Sequence, residues 1–165
     1  MPRTIEEKRM HKEMHAHAHH LRKGRFSETG RIYLVTTVTH DRQPVFSEFY
    51  LARRAISALH ECDRSGLCKT LSYVLMPDHL HWLFQLEQGN LSVLVARYKH
   101  RSAELVNRMR DSRGVSVWQK GFHDHALRME EDLVDAARYI VANPLRAGLA
   151  AEIGEYPHWD AVWLE

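Results

Sequence analysis

Two places in the chain combine side-chain types and spacings that suit chemistry on an anion. In YVLMPDHLHWLFQL (73–86), His79 and His81 stand one residue apart inside an apolar run, just after Pro77-Asp78. Side chains of a strand alternate between faces, so the two imidazoles share one face while Leu80 and Trp82 take the other. Such a pair is half of a metal site, and it is equally what two hydrogen-bonded core histidines look like. A third ligand decides between them. In EEDLVDAARYIVAN (130–143), Tyr139 and Asn143 are four residues apart and stack on one side of a helix. They lie beside an apolar stripe of Leu133, Ala137, Ile140 and Val141. A tyrosine at the edge of a stripe is commonly an amphipathic packing residue. Its hydroxyl is also a candidate nucleophile, and an asparagine carbonyl oxygen is a candidate metal ligand. Two imidazoles and one amide oxygen suit a divalent ion that keeps positions open for phosphate oxygens. That means Mg²⁺ or Mn²⁺, with the nitrogen donors tilting the choice toward Mn²⁺.

The elements that must position these groups are legible in the pattern. RIYLVTTVTH (31–40) is β-branched and aromatic and predicts a strand. SEFYLARRAISALHECDRSG (47–66) predicts a helix capped by Ser47 and closed by Gly66, with Ala52, Ala55, Ile56 and Leu59 at helical spacing. CKTLSYVLM (68–76) and HLHWLFQL (79–86) predict two strands joined by the Pro77-Asp78 turn. A long amphipathic helix follows Gly89-Asn90, its stripe marked by Leu91, Leu94, Val95, Tyr98, Leu105, Val106 and Met109. HALRM (125–129) predicts a short strand, and 130–143 a final helix ended by Pro144. The fold class is therefore α+β: a ferredoxin-like βαββαβ sandwich, a four-stranded antiparallel sheet with helices on one face, plus a C-terminal helix.

Composition narrows the function classes. A chain of 165 residues suits one domain with a real core, expected over 25–165, preceded by a polar arm over 1–24 that holds five histidines between positions 11 and 20. No apolar run approaches the roughly 20 residues of a membrane span, and the N-terminus has no apolar signal core, so a cytoplasmic location is expected. Cys62 and Cys68 form no CxxC pair, which leaves a zinc ribbon or thioredoxin-like site unsupported; buried free thiols are expected. The net charge is only +2, but residues 1–31 carry eight Lys/Arg against four Asp/Glu, and residues 91–113 six against two. Two basic segments on an acidic background point to a polyanion contacted at defined places, with a solvated surface as the plainer reading.

Four phrases carry a family resemblance: LRKGRFSETGRIYLVTTVTHDRQPVF, SYVLMPDHLHWLFQL, VWQKGFHDHALRMEEDL and ARYIVANPLRAGL. From about Arg22 to Leu164 the chain resembles the REP-associated tyrosine transposases, relatives of the single-tyrosine HUH transposases of small insertion sequences. The resemblance implies that His79 and His81 are the HUH metal pair, that Tyr139 is the catalytic nucleophile and that Asn143 is the third ligand, where insertion-sequence relatives carry glutamine. It implies binding of hairpin and single-stranded DNA, cleavage and rejoining through a 5′-phosphotyrosine, a divalent metal, Mg²⁺ or Mn²⁺, and no nucleotide cofactor. It implies a monomer using its own tyrosine, a helix-exchanging dimer being the arrangement of the insertion-sequence relatives. Arg22, Lys23 and Arg25 in the arm are expected to help grip the hairpin. Arg97, Lys99, Arg101, Lys120 and Arg128 are candidate phosphate contacts. His123 and His125 form a second H-x-H on a different element from the family pair, with His125 read as structural or supporting. Trp118 and Trp163 can stack bases, but packing is the expected role.

Three function classes follow. A strand transferase needs His79, His81, Tyr139 and Asn143 together. A non-catalytic hairpin-DNA binder or repressor needs none of them as a set. A metal hydrolase of small phosphoesters needs no basic arm and forms no DNA adduct. The first accounts for all four residues.

Overall fold

The computed structural model describes residues 27–128 and 131–163. The expected arm over 1–24 and its Arg22 and Lys23, together with Arg25, lie outside the described residues. Among the described residues the helices and strands are, in order, β1 (Ile32–Val38), α1 (Phe49–Arg64), β2 (Cys68–Met76), β3 (His79–Leu86), α2 (Leu91–Met109), β4 (His123–Ala126), α3 (Glu131–Val141), α4 (Asn143–Arg146) and β5 (Trp159–Ala161). Short 3-10 turns lie at His40–Arg42, Val45–Ser47 and Ile153–Glu155.

The strands form one antiparallel sheet in the order β4-β1-β3-β2-β5. The first four reproduce the expected ferredoxin-like pattern. The fifth corrects the four-strand expectation: Trp159–Ala161 pairs with Ser72–Val74 and extends the sheet beyond β2. The expected limits of β4, 125–129, also shift. The strand is His123–Ala126, paired with Tyr33–Thr36.

Alternation along the strands separates two apolar layers. Tyr33, Val35, Tyr73, Leu75, Leu80, Trp82 and Phe84 face α1 and α2 in one cluster, with Ala52, Ala55, Ile56, Leu59, Leu94, Val95 and Tyr98. Leu34, Val74, Met76 and Leu83 face the other way and cluster with Ala136, Ala137, Ile140 and Val141 of α3. The two helices of the ferredoxin-like unit thus share one face, as expected, and the additional C-terminal helix packs on the other. Trp82 anchors the first layer, with its Nε1 donating to Thr70 Oγ1 at 2.9 Å, so the indole is buried without an orphaned donor.

Helix ends follow local chemistry. Asn90 caps α2 by accepting from the Ser92 amide at 2.8 Å. Gly66 closes α1 with a φ of +71°, a backbone region open to glycine at little cost. Ser47 does not cap α1; it ends the preceding 3-10 turn, and α1 starts two residues later at Phe49. Pro144 does not terminate the last helix. The break comes at Ala142, and Pro144 sits in the first turn of α4, where a missing N–H is tolerated. The α2 stripe is buried at Leu91, Leu94, Val95, Tyr98 and Val106 and half-buried at Leu105, but Met109 at its end is 42% exposed.

Trp118 packs in the core, its ring centroid 5.2 Å from Phe46 and 5.8 Å from Tyr98, with Nε1 donating to Ser102 Oγ at 2.9 Å. Trp163 departs from the packing expectation and is 41% exposed. Cys62 and Cys68 are buried free thiols, and burial pushes the Cys62 thiol up to about 11. Among the described residues no helix is long and apolar enough to cross a membrane.

Candidate functional site

β3 is the centre of the sheet, and its first residues carry the histidine pair. In the ladder His79 lies between Val38 and Met76, and His81 between Thr36 and Val74. Residues directly opposite in an antiparallel pair share a face. The face of His79 and His81 is therefore that of Val74 and Met76, which belong to the apolar cluster built with Ile140 and Val141 of α3. Tyr139 packs partly against the same cluster. α3, the helix of Tyr139, thus lies on the sheet face that carries both histidines, and Asn143 opens α4 just past its end.

The two rings meet edge to face, centroids 4.9 Å apart and planes at 83°. Each Nδ1 is engaged by a neighbour. His79 Nδ1 donates to Asp78 Oδ1 at 2.6 Å. An ionised carboxylate only accepts, so the proton is on Nδ1 and the ring's lone pair is on Nε2. Burial by itself would push the Asp78 carboxyl up. The hydrogen bond from His79 and the Arg42 guanidinium, 3.1 Å away, outweigh it and hold the carboxyl below its ordinary range. His81 Nδ1 shares a 2.7 Å hydrogen bond with Thr36 Oγ1. Either tautomer satisfies a hydroxyl, and a cation at Nε2 would select the Nδ1–H form.

The turn before His79 is pinned by backbone. Thr39 N and Oγ1 both donate to Asp78 O, at 2.9 and 3.0 Å, and Phe46 N donates to Pro77 O at 2.9 Å. Asp41 and Arg42 hold left-handed backbone with φ of 51° and 52°, a region that non-glycine residues seldom occupy, and Arg42 reaches Asp78 from there.

On the helical side, Asn143 Nδ2 donates to Ile140 O at 2.9 Å, which leaves Oδ1 as the acceptor of the amide. The Arg146 guanidinium lies 4.1 Å from the centroid of the Tyr139 ring and also donates to the Tyr139 carbonyl. That double contact fixes the ring from one side. Among the described residues no three His, Cys, Asp or Glu side chains converge as a metal cluster. By donor type, two imidazoles with Nδ1 already held and an amide with its NH₂ turned away suit a divalent cation.

Sequence pattern does not reveal three residues of this site. Asp78 is legible only as a turn residue, although its adjacency to His79 is visible. Thr36 is 45 positions from His81, and only strand register joins them. Arg146 is seven positions after Tyr139 and meets it because helix resumes past Ala142.

The candidate phosphate contacts divide. Arg97, Lys120 and Arg128 are exposed. Lys99 is half-buried, its Nζ donating to the carbonyls of Gln119 and Gly121 at 2.6 and 2.7 Å, so it ties down the loop that carries Lys120. Arg101 pairs with Glu61 through Nε at 2.7 Å and Nη2 at 3.2 Å, and with Glu104 through Nη1 at 2.9 Å. Both charges are engaged within the chain, and α2 covers the sheet face opposite the histidines. Lys99 and Arg101 are accounted for as structural contacts. His123 and His125 lie opposite Thr36 and Leu34 and so share the face of His81, two strands away.

A family model described as "Transposase IS200 like" matches residues 28–143, and the chain belongs to that family. Two curated relatives carry the REP-associated description. One, from Haemophilus influenzae, is described as a REP-associated tyrosine transposase and is 25% identical over 139 residues, covering 78% of each chain. Another, the REP-associated tyrosine transposase of Escherichia coli, is 25% identical over 87 residues, covering 52% of this chain and 50% of its own. The fold matches a REP-associated tyrosine transposase solved with a REP hairpin, at a TM-score of 0.67 and 19% identity over 82% of this chain and 79% of that one. It also matches a crystal structure assigned to a transposase of Deinococcus radiodurans, at a TM-score of 0.52 and 19% identity over 73% and 95%.

Proposed function

We propose that this transposase-family chain binds hairpin DNA of the REP kind and cleaves and rejoins single-stranded DNA through a covalent bond to Tyr139. The observation that carries the proposal is the packing of α3, the helix of Tyr139, on the sheet face of His79 and His81, with Asn143 opening α4 just past its end. In the reaction the Tyr139 oxygen attacks phosphorus, the bond from phosphorus to the 3′ oxygen breaks, and the phenol's proton ends on that oxygen. The products are a 5′-phosphotyrosine and a free 3′-OH. A 3′-OH of the same or another strand reverses the step and rejoins DNA, so no nucleoside triphosphate is needed.

His79, His81 and Asn143 would hold Mg²⁺ or Mn²⁺, which when bound supplies Lewis-acid stabilisation of charge on the phosphate oxygens. Asp78 and Thr36 keep the imidazoles oriented, and Arg146 keeps the Tyr139 ring in place while adding positive charge beside the phosphate. Packing of α3 on the chain's own sheet supports Tyr139 acting in the chain that carries it, a monomer being favoured over a helix-exchanging dimer.

Thr36→Val tests the support under His81. The change keeps the shape and removes the hydroxyl, so Mn²⁺ affinity measured by titration calorimetry should fall about tenfold or more. Unchanged affinity would show that Thr36 does not orient a metal ligand. The arm is tested by deleting residues 1–25. Hairpin binding should weaken, and the slope of log K against log salt should shrink by roughly one for each phosphate the arm neutralises. An unchanged slope would remove the arm from the interface. The proposal as a whole is tested by incubating the chain with a hairpin oligonucleotide from the DNA flanking its gene, with Mn²⁺. A protein–DNA adduct on a denaturing gel is expected. Tight binding with no adduct would favour the non-catalytic hairpin binder instead.

A further inference from the structure

At the start of α1 two aromatic side chains stand in solvent. Tyr50 is 67% exposed and Phe49 48%, and their rings meet edge to face with centroids 5.4 Å apart. A lone exposed aromatic is ordinary; three features set this pair apart. First, helical spacing puts a guanidinium one turn beyond each ring: Arg53 four residues after Phe49 and Arg54 four after Tyr50, both exposed. Second, Phe49 covers His158, ring centroids 5.3 Å apart, and His158 is only 5% exposed with its Nδ1 buried and unpartnered. A buried polar atom without a partner is costly and asks for an explanation. Tyr156 closes the other side of His158 at 5.7 Å.

Third, the patch sits at the end of the sheet where His79 lies. Leu75 N donates to His158 O at 2.8 Å and Leu75 O accepts from Tyr156 Oη at 2.6 Å. The next residue, Met76, is the ladder partner of His79. Phe46, three residues before Phe49, is bonded to the Pro77 carbonyl of the same turn. The carboxylates nearby in the chain, Glu48 and Asp160, are both exposed.

We infer that Phe49 and Tyr50, with Arg53 and Arg54, form a stacking site for unpaired nucleotides of single-stranded DNA flanking the hairpin. A base lies on the Tyr50 ring, the guanidiniums take adjacent phosphates, and the His158 imidazole under Phe49 gains a polar partner when that ring shifts. Stacking on aromatics is tolerant of sequence because every base has a π face. This inference rests on the proposed DNA chemistry and adds a binding site to it.

The test uses the full chain and a fluorescein-labelled oligothymidylate of about twenty nucleotides, with anisotropy read in EDTA so that cleavage does not intervene. Tyr50→Ala should bind about tenfold more weakly, and Tyr50→Phe, which keeps the ring, should bind like the parent. Arg53→Gln with Arg54→Gln should lower the salt slope by roughly 0.7 for each phosphate that the two guanidiniums neutralise. Parent-like binding by Tyr50→Ala, an equal loss in Tyr50→Phe, or no binding by the parent chain would overturn the stacking site. So would a change of sedimentation in Tyr50→Ala with DNA affinity intact, since the patch would then join copies of the chain. The Tyr139 adduct reports separately: ring-dependent binding without an adduct leaves this site standing and removes the catalytic reading, and an adduct with ring-independent binding does the reverse.

Discussion

His79→Ala is expected to abolish DNA cleavage while hairpin binding stays within a few-fold of the parent chain. His79 is one of the two imidazoles whose Nδ1 is held from behind, and its bond to Asp78 at 2.6 Å fixes which nitrogen faces outward. Alanine removes that donor from the proposed set of three. Lewis-acid assistance to phosphoryl transfer amounts to several kcal/mol, so the loss should exceed about a thousandfold. The side chain is 21% exposed and outside the two apolar clusters, so the fold should change in stability by no more than about 1–2 kcal/mol. The proposed hairpin contacts are basic residues elsewhere, so binding should persist. Cleavage in Mn²⁺ at the parent rate would remove the metal role of the pair; loss of both cleavage and thermal stability would show that His79 is a packing residue. His81→Ala, which also strands Thr36, should match it in activity.

Tyr139→Phe should eliminate the covalent adduct altogether. The substitution removes one oxygen and retains the ring on which Arg146 lies at 4.1 Å. Its partial packing against the apolar cluster of that sheet face survives, and the stability change should stay within about 1–2 kcal/mol. Metal affinity and hairpin binding should be unaffected. Tyr98 is the informative decoy. It is fully buried on the opposite sheet face among Trp82 and Trp118, and burial pushes its hydroxyl far above the ordinary tyrosine range. Tyr98→Phe should therefore still form adduct. The reverse pattern, adduct lost with Tyr98→Phe and kept with Tyr139→Phe, would take the nucleophile off the last helix.

What sequence could convey depended on whether a signal was local. β2 and β3 have the expected limits because two apolar runs flank a Pro-Asp turn, and period-two alternation then puts His79 and His81 on one face. The spacing of Tyr139 and Asn143 is equally local. β4 shifts because HDHA is a polar edge segment without an apolar run, and β5 is three residues long with no alternation to detect. The side of the sheet taken by α3 is a tertiary fact; its amphipathic stripe requires a partner but does not say which. Charges are the least legible. Arg101 meets Glu61 from 40 positions away, and Lys99 bonds to backbone carbonyls, which no sequence pattern advertises. Thr36 and Arg146 become visible only once strands and helices are in register.

The most direct test of the account is mass spectrometry of the trapped protein–DNA complex. The chain is incubated with a hairpin oligonucleotide carrying a single-stranded extension, denatured and digested with trypsin and nuclease. Cleavage after Arg138 and Arg146 releases the peptide of residues 139–146, YIVANPLR. That peptide should carry the mass of a 5′-linked nucleotide on Tyr139, and the label should be absent from Tyr139→Phe. A nucleotide on any other tyrosine, or an unmodified 139–146 peptide from a complex that survives denaturation, would contradict it.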